Sequence, residues 1–277
     1  MLLTHKFSLS LGMLSLIAAA GCGGGGSVVV TTNNGNYSAA TLKGSYVYQI
    51  HGTEFVTLQA QPYRQYGVFT ADGAGNITAQ SDDATLSSGG GSFACNASCG
   101  SYQVASDGTG FIKLNNSGFS SSFSPALGPV TLALTLSSST KVYLMEADSF
   151  ADGAGVAEFQ DSAAISATPG GMFVFRLHET SSAQGQFSAS HVGVVTLPGS
   201  AVNGSMDQNL GGTFSSPTVT WTLGAPGALG RGTGSFTDST NFTTNFVYYI
   251  VNSGKFALLV SNSGAVGSAA PRPRPAR

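Results

Sequence analysis

Charge is what this chain has least of. Its 277 residues hold 11 Lys and Arg and 13 Asp and Glu. That is 9% of the chain, against about 25% in an ordinary soluble protein. The formal balance of −2 provides neither a basic field for nucleic acid nor an acidic tail. So few Glu, Lys and Arg also exclude a coiled coil or helical bundle, whose solvent faces are built from them. Past the first 22 residues no stretch repeats apolar side chains at helical spacing. The signatures of catalysis are missing as well. There is no Gly-x-Ser-x-Gly nucleophile elbow and no His-Glu-x-x-His metal motif, and after the leader only His51, His178 and His191 remain. No catalytic residue, metal site or cofactor is expected.

What is present begins with an export signal. His5 and Lys6 form a short basic start, and Phe7 to Ala20 is apolar apart from Ser and Gly. The segment then ends on Ala19-Ala20-Gly21-Cys22. A basic start, a 7–15-residue apolar centre and small residues before a cut mark a secretory signal, and the stretch falls short of the ~20 apolar residues that span a bilayer. The Ala-Ala-Gly-Cys ending resembles the lipobox of bacterial lipoproteins, with Ala19 where Leu is usual. The resemblance implies that residues 1–21 are removed and that Cys22 is lipidated, joining the protein to a membrane through two or three acyl chains. Gly23, in place of the Asp that retains lipoproteins at the inner membrane, implies the outer one.

Two further Cys, Cys95 and Cys99, flank Asn96-Ala97-Ser98. An oxidising compartment and an even remainder favour a bridge between them. Bridged Cα atoms lie about 4.4–6.8 Å apart, whereas four extended residues span roughly 13 Å, so the chain must turn tightly there. A disulfide-clipped hairpin tip is the expected result. Two Cys without a His pair are too few ligands for a zinc site.

Between residues 41 and 265 short β-branched and aromatic runs alternate with Gly, Asn, Asp and Ser clusters. Examples are Ser45–Ile50, Val130–Leu136, Met172–Leu177 and Phe246–Val251. This is the pattern of an all-β chain. Asp72-Gly73, Asp107-Gly108 and Asp152-Gly153 each read as a hairpin turn, because both central residues of a type I′ turn need positive φ. One carboxylate per loop is too few for calcium, which takes six to eight oxygens. The runs also repeat. Gly44–His51 aligns with Gly171–His178, Thr140–Leu144 with Gly254–Leu258, and Tyr66–Thr70 with His191–Thr196 if one residue slips.

The expected architecture is therefore an antiparallel up-and-down barrel-like module, calycin-like in architecture only, duplicated in tandem. Two β-sandwiches or one shared barrel are the alternatives. The expected divisions are 1–21 signal, 22–40 anchor and Gly/Ser/Asn tether, 41–166 first repeat, 167–265 second repeat, and 266–277 disordered Pro/Arg tail. Strands of mostly five to eight residues set the chain apart from a transmembrane barrel.

Weaker candidates for chemistry are scattered. His51 and His178 occupy equivalent repeat positions beside Glu54 and Glu179, a pairing that duplication alone explains. Glu146 and Asp148, two apart on one strand, form the best carboxylate pair and read as a solvated strand end. Trp221 reads as core, with sugar stacking as the rival. The lipobox, the Gly-rich tether and the Ala-Asp-Gly-x-Gly hairpins together resemble Gly/Ser-rich bacterial lipoproteins of uncharacterised activity. The expected function is a non-enzymatic, lipid-anchored outer-membrane protein that binds a ligand or supports structure. Its partners would be the membrane and a small apolar ligand or polysaccharide, with no nucleic acid. A small apolar-ligand carrier and a carbohydrate-active enzyme are the alternatives.

Overall fold

The computed structural model describes residues 36–54, 61–86, 89–115, 129–147, 151–181, 187–198, 201–260 and 266–271. The expected signal, Cys22, most of the expected tether, Asp148 and residues 272–277 lie outside the described residues.

Two closed eight-stranded antiparallel barrels stand in tandem. The first comprises β1 (Lys43–Glu54), β2 (Gln61–Asp72), β3 (Asn76–Leu86), β4 (Gly89–Cys95), β5 (Gly100–Val104), β6 (Thr109–Leu114), β7 (Val130–Ser138), β8 (Lys141–Glu146) and β9 (Ala151–Phe159). The chain meanders from neighbour to neighbour until β9 pairs with β1 and closes the ring. The ninth strand, β4, hangs from the end of β3. The second barrel repeats this plan with β10 (Gly171–Ser181), β11 (Phe187–Leu197), β12 (Gly204–Leu210), β13 (Thr213–Ser215), β14 (Thr218–Leu223), β15 (Arg231–Asp238), β16 (Thr243–Asn252), β17 (Lys255–Val260) and β18 (Val266–Pro271). Here β18 returns to β10, and β13 is the appendage. Closure leaves no long free edge, which settles the choice between barrels and sandwiches.

Alternation decides what fills each ring. On β1, Tyr46, Tyr48 and Ile50 point inward while His51 faces outward. Inside the first barrel they join Phe69, Ile112, Leu132, Leu134 and Val142. The second interior is more aromatic: Phe173, Phe175, Trp221, Phe236, Phe246 and Phe256 are all buried. Apolar side chains facing inward are the reverse of a membrane barrel, whose apolar band faces lipid. β1, β2, β3, β7, β9, β10, β11 and β16 are longer than the five to eight residues expected, at 12, 12, 11, 9, 9, 11, 11 and 10.

Several local expectations need correcting. Asp152-Gly153 is not a hairpin turn but lies inside β9. A Cβ at Gly153 would stand 2.8 Å from the Ile50 side chain and 3.0 Å from the Glu146 carboxylate, so glycine serves close approach there. Asp72-Gly73 does form a turn, with Gly73 at φ 84° and Asp72 Oδ1 accepting from the N–H groups of Ala74 (2.6 Å) and Asn76 (3.0 Å). Val266–Pro271, expected in the tail, is the closing strand of the second barrel. Small residues such as Ser268 and Ala269 fit between β10 and β17, and a proline is tolerated at a strand's end.

Cys95 and Cys99 are bridged, with Cα atoms 5.6 Å apart, yet not at a hairpin tip. β4 and β5 run the same way along one side of β3, with Cys95 opposite Gln80 and Gly100 opposite Ile77. The disulfide closes the surplus residues where the strand steps from one segment to the next. At the equivalent place in the second barrel only Ser216 and Pro217 intervene between β13 and β14, so there is no surplus to tie off.

The repeat alignment also simplifies. Gly44 pairs with Ala71 as Gly171 pairs with Leu197, and Tyr48 pairs with Gly67 as Phe175 pairs with Gly193. No slip is needed, and His191 corresponds to inward-facing Gln65 rather than to Tyr66.

Candidate functional site

The two barrels touch through their outer walls. Val47, Tyr66 and Val68 of β1 and β2 pack against Val247, Tyr249, Val251, Ala257 and Leu259 of β16 and β17. This explains why Phe246–Val251 and Phe256–Val260 are continuous apolar runs. Alternate residues serve the barrel core and the neighbouring barrel, leaving both faces buried. The unbroken apolar run is the sequence signal from which burial of both faces could have been read.

At one border of this contact Arg231 grips Asp83 with two hydrogen bonds of 2.7 Å, and the Tyr249 hydroxyl donates to the same carboxylate. Asp83 holds the guanidinium proton tightly, raising the already high pKa of Arg231. Lys255 pairs with Glu158, and the Gln160 amide donates to the carbonyls of Leu229 (2.9 Å) and Ile250 (2.7 Å).

Elsewhere along this boundary the walls enclose a cleft of about 420 Å3. The first barrel supplies His51, Arg64 and Tyr66, and the second supplies Arg176, His178 and Ser190. Strand register explains the grouping: His51 faces Arg64 across β1 and β2, and His178 faces Ser190 across β10 and β11. The His51 ring stacks on Tyr66 at 5.6 Å and 21°, and its Nε2 lies 2.8 Å from the Tyr66 hydroxyl. Burial, then Arg64, Arg176 and His178 in that order, lower the His51 pKa to about 4. The ring is therefore neutral at pH 7, and the hydroxyl proton is available to its free nitrogen. Arg64 is held from behind, donating to the carbonyls of Tyr63 (2.7 Å) and Gly52 (3.1 Å). His178 Nδ1 lies 3.1 Å from the Ser190 hydroxyl.

A second polar cluster lies inside the first barrel. Tyr48, Tyr63, Gln65, Gln80 and Asp82 are all fully buried. Tyr63 donates to Gln65 Oε1, Gln65 donates to the Tyr48 hydroxyl at 2.7 Å, and Gln80 donates to Asp82. Burial raises the Asp82 pKa to about 7, opposed by hydrogen bonds from Gln80, Tyr48 and Gln65. Gly67 makes room for the cluster, since a Cβ there would meet Asp82 Oδ1 at 2.1 Å.

The equivalent positions of the second barrel are mostly apolar. Phe175 stands for Tyr48, Met206 for Asp82 and Val260 for Glu146. Trp221 faces Phe236 as Gly100 faces Leu114, so the indole stands at the position where the first barrel has a glycine. Its ring lies 4.7 Å from Phe175 and 5.1 Å from Phe246. Trp221 is thus a core residue.

The remaining sequence candidates fall apart. Glu146 is not a solvated strand end but faces inward, 7% exposed, because its position on β8 has the parity of Val142 and Leu144. The side chains of Glu54 and Glu179 lie outside the described residues. His191 is buried in the second barrel, with its ring 6.5 Å from Phe236. His51 and His178 do come together, across the boundary between barrels. Pairing of the repeats put them in equivalent positions, but no local signal places them on one cleft.

No protein-family model and no curated protein matches the chain. Among solved structures it is similar to an AttH-type protein of Nitrosomonas europaea, with 8% identity, a TM-score of 0.26, and coverage of 89% of this chain and 97% of that one. It is also similar to kievitone hydratase from Nectria haematococca, with 9% identity, a TM-score of 0.25, and coverage of 87% and 92%.

Proposed function

We propose that this is a non-enzymatic, lipid-anchored binding protein of the cell envelope, held on the outer membrane through Cys22, with its ligand seated between the two barrels. The observation that carries the reading is the cleft of about 420 Å3, built by side chains of both repeats on rigid strands. Its size falls within the ~300–1,000 Å3 of small-molecule sites. Each barrel is closed around its own packed core, so the duplicated module needs no ligand to complete it. This moves the seat from the barrel interior, where an apolar carrier would hold its cargo, to the space between the repeats. The cleft walls are Arg, His, Ser and aromatic side chains, a set suited to holding a ligand in one orientation.

Two measurements test the proposal. The mass spectrum of the membrane-extracted protein should show a diacylglycerol thioether on Cys22, and an unmodified N-terminus would remove the anchor. Wild type and Ser190→Trp, which fills the cleft from β11, should be incubated with extract of spent growth medium and the retained small molecules compared. Compounds held by the wild type and not by the variant are expected. Identical profiles would remove the cleft from consideration.

A further inference from the structure

We propose that the outer face of β7 and β8 on the first barrel docks a second copy of this chain, which presents the outer face of its own β10 and β11. The proposal does not depend on the cleft. It concerns the outer walls through which the repeats meet.

The contact between the repeats is one-sided. Val47, Tyr66 and Val68 of β1 and β2 pack against Val247, Tyr249, Val251, Ala257 and Leu259 of β16 and β17. A two-fold relation between the barrels would add the reciprocal contact, of β7 and β8 with β10 and β11. Those faces are open instead. Tyr143 and Met145 on β8 are 50% and 56% exposed, and Val174 on β10 and Val192 on β11 are 41% and 49% exposed. The barrels therefore meet head to tail, and such a contact leaves one head and one tail unused.

Strand register identifies the unused pair position by position. Lys141 opens β8 as Lys255 opens β17, so Tyr143 stands for Ala257 and Met145 for Leu259. On the adjoining strand Ala133 faces Met145 as Val247 faces Leu259. Phe111, 56% exposed, extends this row onto β6 from its place opposite Ala133. On the other barrel Val174 stands for Val47, Val192 for Tyr66 and Val194 for Val68. Val192 also edges the cleft, so the docking footprint centres on Val174 and Val194.

Each open face keeps the chemistry of its occupied counterpart. Outward positions of a water-facing antiparallel sheet are ordinarily polar. Here they are Phe, Tyr and Met on one wall and Val on the other, and clustered exposed apolar side chains mark an interaction surface. The signs of charge are kept as well. Lys141 stands for Lys255, and Asp207, opposite Val192, stands for Asp83, opposite Tyr66. The occupant follows from the fold itself. The wall already packed against β16 and β17 is a β1–β2 face, and every copy carries the open equivalent on β10 and β11.

The experiment is sedimentation equilibrium of the full chain in uncharged, density-matched detergent. The wild type should associate reversibly as concentration rises. Tyr143→Glu with Met145→Glu spoils one face and Val174→Glu the other, and each variant alone should self-associate about tenfold more weakly or less. Mixed, the two variants keep one good face each, and they should form a complex of two chains and nothing larger. Loss of stability in either variant does not produce that complementation. A wild type that stays a single chain at every concentration overturns the proposal and leaves the faces to a different partner. Self-association by Val174→Glu equal to that of the wild type also overturns it, because like faces would then be pairing. Should a Glu variant fail to fold, Met145→Cys mixed with Val174→Cys should give a disulfide-linked dimer under mild oxidation. A yield no higher than that of Met145→Cys mixed with Phe214→Cys, whose position is exposed on β13, overturns the proposal in that arm.

Discussion

Asp82 offers a test in which a single atom change has a calculable effect. It is fully buried inside the first barrel, and its pKa of about 7 stands well above the ordinary 3.8. The native state therefore binds its proton more tightly than the unfolded chain does. Below 3.8 both states are protonated and nothing is lost. As pH rises from 3.8 to about 7 the unfolded chain releases the proton first, so stability falls, and above that range the loss is constant. A shift of about three units corresponds to roughly 4 kcal/mol in total, of which about 2–3 kcal/mol falls between pH 5 and pH 8. Asp82→Asn keeps the shape and removes the ionisation. Its amide oxygen can still accept from Gln80, and its new N–H donors face the Tyr48 hydroxyl. Urea unfolding of wild type and variant at pH 5 and pH 8 measures the effect, and every other titrating group cancels in the difference. The variant should gain about 2–3 kcal/mol on the wild type between the two pH values. A stability difference between the two proteins that stays constant from pH 5 to pH 8 would refute the reasoning, because it would mean that Asp82 ionises without cost in the fold.

Other expectations follow from the same structure. Arg231→Met leaves Asp83 at the boundary with only the Tyr249 hydroxyl, and should cost about 2–4 kcal/mol in urea unfolding, below the full cost of breaking a buried pair because the Arg231 side chain is 30% exposed. Adding Asp83→Asn should restore part of that loss, and simple additivity would show that the two do not interact. Trp221→Ala should cost about 3–5 kcal/mol, as the fully buried indole has no polar or solvent-filled substitute, and a loss under 1 kcal/mol would mean the core collapses around the gap. Arg176→Gln should raise the His51 pKa from about 4 toward, but not to, 6.5, since burial remains the larger cause, and ring-proton NMR reads this directly. The lowered His51 pKa also implies stability that is present above pH 6.5 and lost as pH falls toward 4, and His51→Gln should flatten that slope.

Much of the architecture was written locally. Alternation of β-branched and aromatic residues, with Asp-Gly at Asp72 and Asp107, specifies antiparallel meanders, because side-chain period and turn conformation are properties of a few adjacent residues. The duplication was legible for the same reason, in Gly44–His51 against Gly171–His178. Asp152-Gly153 misled because the dipeptide is only permissive. The side chains that need room beside Gly153 are Ile50 of β1, about a hundred residues away, and Glu146 of β8. The disulfide of Cys95 and Cys99 followed from count and spacing, but its place at a step between β4 and β5 required knowing that both lie along β3. Glu146 was misjudged because its surroundings depend on strand parity.

The sequence by itself determined an all-β chain of two like modules and a cysteine pair close enough to bridge, and it raises the expectation of a signal and an anchor at Cys22. Only the tertiary structure decided how the repeats differ and where they meet. It placed polar Asp82 at the centre of one barrel and aromatic side chains in the other, and it brought His51 and Arg64 to face Arg176 and His178. The physical reason is that secondary structure is dictated by neighbours in the chain. A cleft, by contrast, is made where residues more than a hundred positions apart are packed onto facing walls, and closure of each barrel leaves its outward side chains free to meet the other.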